Sequence, residues 1–151
     1  MKTKRTVSIN APVARVFDHI SDPEKQKLWM DGLIRTEYTG NTDQTNQVGA
    51  RFTQHLIKGH KKTVYEFRGE VLEYDKPKLY SYKLEGQDFT ASIRYECEGD
   101  DARATLTTHT EMLFSGGFFA RFIGRMAAHH DKQDTKKLIE ILEKVPSSSS
   151  R

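Results

Sequence analysis

The chain has 151 residues, enough for one core with a modest pocket and too few for two cores. Hydrophobic residues make up 36% and aromatic residues 10%, which excludes an intrinsically disordered chain. With 24 basic and 21 acidic side chains the net charge is +3, too little for a chain-wide surface that grips nucleic acid.

No apolar run approaches the roughly 18 residues of a membrane span, so no integral membrane association is expected. The first ten residues lack the apolar stretch of a secretion signal. Cys97 is the only cysteine, so it has no internal disulfide partner and no thiolate cluster to join. These features predict a cytoplasmic protein.

Thr3 to Ile9 alternates, with Val7 and Ile9 on one face, and predicts a strand. Asn10-Ala11-Pro12 then predicts a helix start, with Asn10 as cap and Pro12 in the first turn. Val13, Val16, Phe17 and Ile20 follow at helical spacing. Ser21-Asp22-Pro23 ends that helix and opens a second, Glu24 to Met30, carrying Leu28 and Trp29. From Gly32 to Leu113 the period is two, predicting strands at 33–39, 48–57, 62–74, 78–85, 89–98 and 102–113. The breaks between them, such as Gly40-Asn41, Lys76-Pro77 and Gly99-Asp100-Asp101, are turn chemistry, so the strands form an antiparallel meander. After Ser115-Gly116-Gly117 the period becomes 3.6 up to Pro146. Phe119, Phe122, Ile123, Met126, Leu138, Ile141, Leu142 and Val145 then share one face of a long helix, and the sheet is the only large surface that can cover it. Residues 1–146 are read as a single domain and 147–151 as a disordered polar tail.

A strand, two short helices, a six-stranded meander and a long C-terminal helix make the plan of an α+β helix-grip fold, about seven antiparallel strands wrapped on one helix. Val7-Ser8-Ile9-Asn10-Ala11-Pro12, and Ser21-Asp22-Pro23 followed by Trp29, resemble the opening of the SRPBCC (START-like) superfamily. Val48-Gly49-Ala50-Arg51-Phe52, Tyr74-Asp75-Lys76-Pro77-Lys78-Leu79 and Leu138-Ile139-Glu140-Ile141-Leu142-Glu143 resemble its polyketide cyclase/dehydrase-like branch. The resemblance spans about residues 3 to 145. It implies a cavity between sheet and long helix that holds apolar or amphipathic small molecules. The matched positions are turns and core, so no catalytic residue is carried over.

Read residue by residue, the chain offers no catalytic set. Cys97 alternates in phase with Ile93 and Tyr95 as a small buried hydrophobe, and Ser115 lacks the G-x-S-x-G context of a nucleophile turn. No metal site is expected: His129 and His130 are adjacent and point to different helix faces, and His55 and His60 flank a hairpin. No cofactor is expected. The basic groups Lys2, Lys4, Arg5 and Lys58-Gly59-His60-Lys61-Lys62 have no interleaved aromatics for base stacking and read as solvated tips.

The candidate cavity lining is Trp29, Phe52, Tyr65, Phe67, Tyr80, Tyr82, Phe89, Ile93, Tyr95, Met126, His130 and Asp134. Alternation aims the strand aromatics inward, where their hydroxyls need partners that a hollow, partly wet interior would supply. The resemblance places Trp29 at the cavity's rim, as a seal or as a gate. With Met126 at zero and about 100° per helical residue, His130 falls at about 40° and Asp134 at about 80°, inside the apolar stripe. There they either rise toward water or form the polar anchor of the cavity, Asp134 holding His130.

The reading is therefore a binding, transport or sequestration protein for a small hydrophobic ligand (lipid, quinone or polyketide-like), a monomer or weak homodimer, without nucleic acid. One alternative is a cyclase/dehydratase-like enzyme using the same cavity. Another is a protein–protein adaptor resembling chaperone-ATPase activators, which would show an exposed apolar patch.

Overall fold

The period-two segments become seven strands: β1 (Lys2–Ile9), β2 (Leu33–Thr39), β3 (Arg51–Lys58), β4 (Thr63–Asp75), β5 (Leu79–Glu85), β6 (Phe89–Gly99) and β7 (Ala104–Phe114). The computed structural model describes residues 2–39, 47–58, 62–87, 89–115 and 132–144. The strands form one antiparallel sheet in the order β1-β7-β6-β5-β4-β3-β2. β2 to β7 thus run as the expected meander, and β1 closes onto β7. Two short helices, α1 (Val13–Ser21) and α2 (Pro23–Trp29), link β1 to β2. A C-terminal helix, α3, is described over 132–144. This is the helix-grip arrangement. The start of the long helix, with Met126 and His130, and the tail 147–151 lie outside the described residues, as does His60.

Three local readings are corrected. Asn10 does not cap α1; Pro12 holds the N-cap position, and the Val13 N–H donates to the Asp100 carbonyl at 2.9 Å. Asn10 is used elsewhere, its backbone N–H donating to Glu143 Oε2 at 2.9 Å and its side-chain oxygen accepting from Arg103. α2 begins one residue earlier than expected, because Asp22 supplies the cap by accepting the Glu24 N–H at 2.9 Å and Pro23 suits the first turn. β3 starts at Arg51 instead of 48; Gly49 adopts φ 91°, and its N–H still donates to the Val71 carbonyl of β4 at 2.8 Å ahead of the regular ladder.

The inner face of the sheet packs on α1, α2 and α3. Its core includes Val16, Phe17 and Ile20 of α1, Val71, Tyr80 and Leu106 of the sheet, and Leu138 and Leu142 of α3, none more than 1% exposed. Arg15 ties α1 to α3 by donating to the Leu142 carbonyl at 2.9 Å. The outer face carries a polar row across its middle strands, with Ile57, Val64 and Leu113 exposed toward the strand ends. Glu73, Ser81, Arg94 and His109 form a continuous cross-strand row, in which Ser81 Oγ and Arg94 Nε both donate to Glu73. The inner row beside it is Tyr74, Tyr80, Tyr95 and Thr108.

Two register shifts set which residues face inward. One in β4, between Val71 and Glu73, puts both Val71 and Tyr74 on the inner face although they are three apart. One in β2, between Leu33 and Arg35, does the same for Leu33 and Thr36. Arg5 is also repositioned relative to its reading as a solvated tip. It has the parity of Val7 and Ile9, pairs with Thr108 and is half-buried on the inner face.

Candidate ligand-binding face

The inner face divides into two regions that differ in burial. At one end, Phe17, Tyr74, Tyr80, Tyr82, Tyr95 and Trp29 form a continuous aromatic network. Tyr80 and Tyr95 stack with centroids 6.4 Å apart and planes 6° apart, and Trp29 meets Tyr95 edge-on at 6.4 Å. The Trp29 indole N–H donates to the His19 carbonyl at 2.8 Å, so both its apolar body and its polar end are held by protein. Phe52 bridges this network to β2, packing on Tyr82 at 5.9 Å and on Tyr38 at 5.5 Å. The Phe52 ring lies directly over Gly69, where a Cβ would come within 2.3 Å of it.

At the other end sit Tyr65, Phe67, Phe89 and Phe114. Phe67 and Phe89 meet edge-on at 4.9 Å, Tyr65 stacks on Phe67, and Phe114 leans on Phe89. Phe67, Phe89, Phe114 and nearby Ile93 are only half-buried, and Tyr65 is 45% exposed. One end of the face is therefore closed and the other retains accessible apolar surface.

The expectation that inward tyrosines need water is corrected at Tyr80. Its hydroxyl bonds with the Gln26 side chain and with Tyr38, and Gln26 Nε2 in turn donates to the Ile20 carbonyl at 2.7 Å. Burial pushes the Tyr80 phenol well above its ordinary value and that of Tyr38 up to about 12. Both are neutral hydrogen-bonding groups at physiological pH. Burial likewise pushes the Cys97 thiol up to about 12, which leaves it inert as a nucleophile.

Of the residues read from sequence, Trp29, Phe52, Tyr80, Tyr82 and Tyr95 belong to the buried network, and Phe67, Phe89, Ile93 and Tyr65 to the open end. Asp134 is half-buried on α3 and accepts the Asp31 backbone N–H at 3.1 Å, joining the loop after α2 to the C-terminal helix. Met126 and His130 are outside the described residues. Sequence reading did not single out Gln26, Thr36, Tyr38, Gln54, Tyr74 or Thr108. Among the described residues no group of three or more histidine, cysteine or carboxylate side chains could hold a metal ion. His55 packs on the outer face between Glu37 and Glu66, with nitrogen–oxygen distances of 3.3 and 3.5 Å.

Two open clefts differ in character from the aromatic face. One of about 310 Å³ is lined by Arg51, Arg68, Glu70, Lys83 and Glu85 among others. One of about 520 Å³ includes Asp75, Lys78, Arg94, Glu96 and Glu98. Their sizes suit a small molecule, and their walls mix these charged groups with Phe52 in the first and Val13, Pro77 and Leu79 in the second. Among the described residues no helix is long and apolar enough to cross a membrane.

Residues 1–145 match the model of the family described as polyketide cyclase / dehydrase and lipid transport, and the chain belongs to that family. Solved structures share its fold at low identity, in keeping with the SRPBCC superfamily. A conserved protein from Geobacillus kaustophilus is 18% identical with a TM-score of 0.76, covering 96% of this chain and 97% of that one. A START superfamily protein from Mycobacterium smegmatis is 13% identical with a TM-score of 0.76, covering 96% and 99%. The di-domain ARO/CYC StfQ from the steffimycin biosynthetic pathway is 16% identical with a TM-score of 0.74, covering 94% of this chain and 45% of that one. No curated protein matches this sequence.

Proposed function

We propose that the protein binds a small apolar or amphipathic molecule, of lipid, quinone or polyketide-like character, between the inner face of the sheet and the C-terminal helix. The observation that carries this reading is the accessible aromatic surface at Phe67, Phe89, Ile93 and Phe114, next to a buried network that fixes the rest of the face. Burying such surface contributes about 25 cal/mol per Å². A few neutral polar groups then suffice to orient the molecule. The proposed lining comprises Phe52, Tyr65, Phe67, Tyr80, Tyr82, Phe89, Ile93 and Tyr95 from the sheet, Trp29 from α2, and Met126, His130 and Asp134 from the C-terminal helix, with His130 as the polar anchor. We place the protein in the cytoplasm as a monomer or weak homodimer.

The family description and the ARO/CYC neighbour give a cyclase/dehydratase-like enzyme as the second reading. Two side chains on the described inner face are unsuited to act as a base near neutral pH. The Tyr38 phenol and the Cys97 thiol both keep their protons far above neutral pH.

Native mass spectrometry with fatty acids, quinones and polyphenols, together with dye displacement, tests the proposal. Saturable one-to-one adducts with at least one of these classes support it. No adduct and no displacement across all three would refute it.

A further inference from the structure

Between two apolar cross-strand pairs on the inner face lies one polar pair. Leu33 faces Leu56 on one side, and Tyr38 faces Phe52 on the other, their rings 5.5 Å apart. Thr36 and Gln54 face each other between them. The Thr36 hydroxyl is fully buried and has no hydrogen-bond partner, and Gln54 is only 5% exposed. Half-buried Phe67, part of the open aromatic end, is the next residue in the row after Gln54.

A buried hydroxyl without a partner is destabilising, whereas valine would fill nearly the same volume at no such cost. Its presence beside an accessible aromatic surface is explained if something outside the protein completes its bonding. We infer that Thr36 and Gln54 form an uncharged polar latch that binds a neutral oxygen, hydroxyl or carbonyl, at one end of an otherwise apolar ring-containing ligand. This rests on the binding reading above and specifies the chemistry of its ligand. A hydroxyl and a primary amide each offer donor and acceptor, so either kind of neutral oxygen is served. A carboxylate is not. The neighbouring cations Arg35 and Arg51 point to the outer face, where they pair with Glu37 and Glu70.

The test compares naphthalene, 2-naphthol and 2-naphthoate, three probes with one apolar body, by titration against the intact chain. Wild type is expected to bind 2-naphthol about tenfold more tightly than naphthalene, the effect of one well-made hydrogen bond in a buried site. 2-Naphthoate should bind more weakly than 2-naphthol. Thr36→Val and Gln54→Leu should each erase most of the naphthol preference while leaving naphthalene affinity within about twofold, as no apolar contact is lost. The melting temperature of Thr36→Val should hold or rise, since an unpartnered hydroxyl has been removed. Thr36→Ser, which keeps the hydroxyl, should keep the preference and guards against a folding artefact. A naphthol preference that survives both Thr36→Val and Gln54→Leu overturns the latch while leaving the binding reading intact. Failure of all three probes to bind wild type overturns the latch for a ring-containing ligand, while the binding reading falls only if fatty acids, quinones and polyphenols all give no adduct.

Discussion

Asp134 Oδ1 accepts the backbone N–H of Asp31 at 3.1 Å, a contact between residues 103 apart in the chain. It ties the loop that follows α2, and hence Trp29, to the C-terminal helix that covers the inner face. Asp134 therefore has a structural task beyond any role toward a ligand. Asp134→Ala should cost about 1 kcal/mol of stability. It should also raise the hydrogen-exchange rate of the Asp31 amide selectively. Unchanged exchange at Asp31 in that variant would show that the contact does not hold the loop.

Gly69 is needed for space. A Cβ there would meet the Phe52 ring at 2.3 Å, and Phe52 itself packs on Tyr38 and Tyr82. Gly69→Ala should destabilise the fold by about 1–3 kcal/mol through forced repacking. In a Phe52→Leu background the same change should cost much less. Equal costs in both backgrounds, measured by urea unfolding, would contradict the assignment.

The chain from the Ile20 carbonyl through Gln26 to Tyr80 and Tyr38 gives the protein an alkaline limit. Both phenols have folded-state values above the ordinary 10.0, Tyr38 at about 12. Above pH 10 the unfolded chain loses these protons while the folded chain keeps them. The associated stability is full below pH 10 and is lost as pH rises toward about 12. Absorbance at 295 nm should show at least two of the six tyrosines titrating late and together with unfolding. Tyr38→Phe/Tyr80→Phe should remove that late step, so a late step that persists in the double variant would exclude these residues as its source.

His19 sets a limit on the acid side. Burial holds its imidazole below the ordinary 6.5, although its ring nitrogen lies 3.0 Å from the Arg15 carbonyl. As pH falls below 6.5 the unfolded chain binds a proton that the folded chain resists, so stability declines from there downward. His19→Gln should flatten this part of the stability–pH curve. An identical curve for the variant would contradict the account.

Most of the fold was legible because its signals are local. Alternation in β6, the Asp22-Pro23 cap and the turn residues between strands each act within a few positions. The two register shifts were not legible, because nothing in residues 33–35 or 71–73 marks an extra residue. Alternation read through those points therefore passed over Thr36, Tyr38 and Tyr74, all of which lie beyond a shift. Gln26 was hidden for another reason. It sits among charged residues in a short helix, and only the docking of α2 against Ile20 and Tyr80 buries it. Arg5 shared the parity of Val7 and Ile9, but its charge outweighed that signal.

The central claim is that the inner face, and not the charged clefts, takes the ligand. Isotope-filtered NMR of the labelled protein with 2-naphthol tests it most directly, because the two faces present different residues to a ligand. The account predicts intermolecular NOEs to Phe67, Phe89, Ile93 and Phe114, and none to Arg68, Lys83 or Arg94. NOEs confined to Arg68, Lys83 or Arg94, or no saturable NOEs at all, would contradict it.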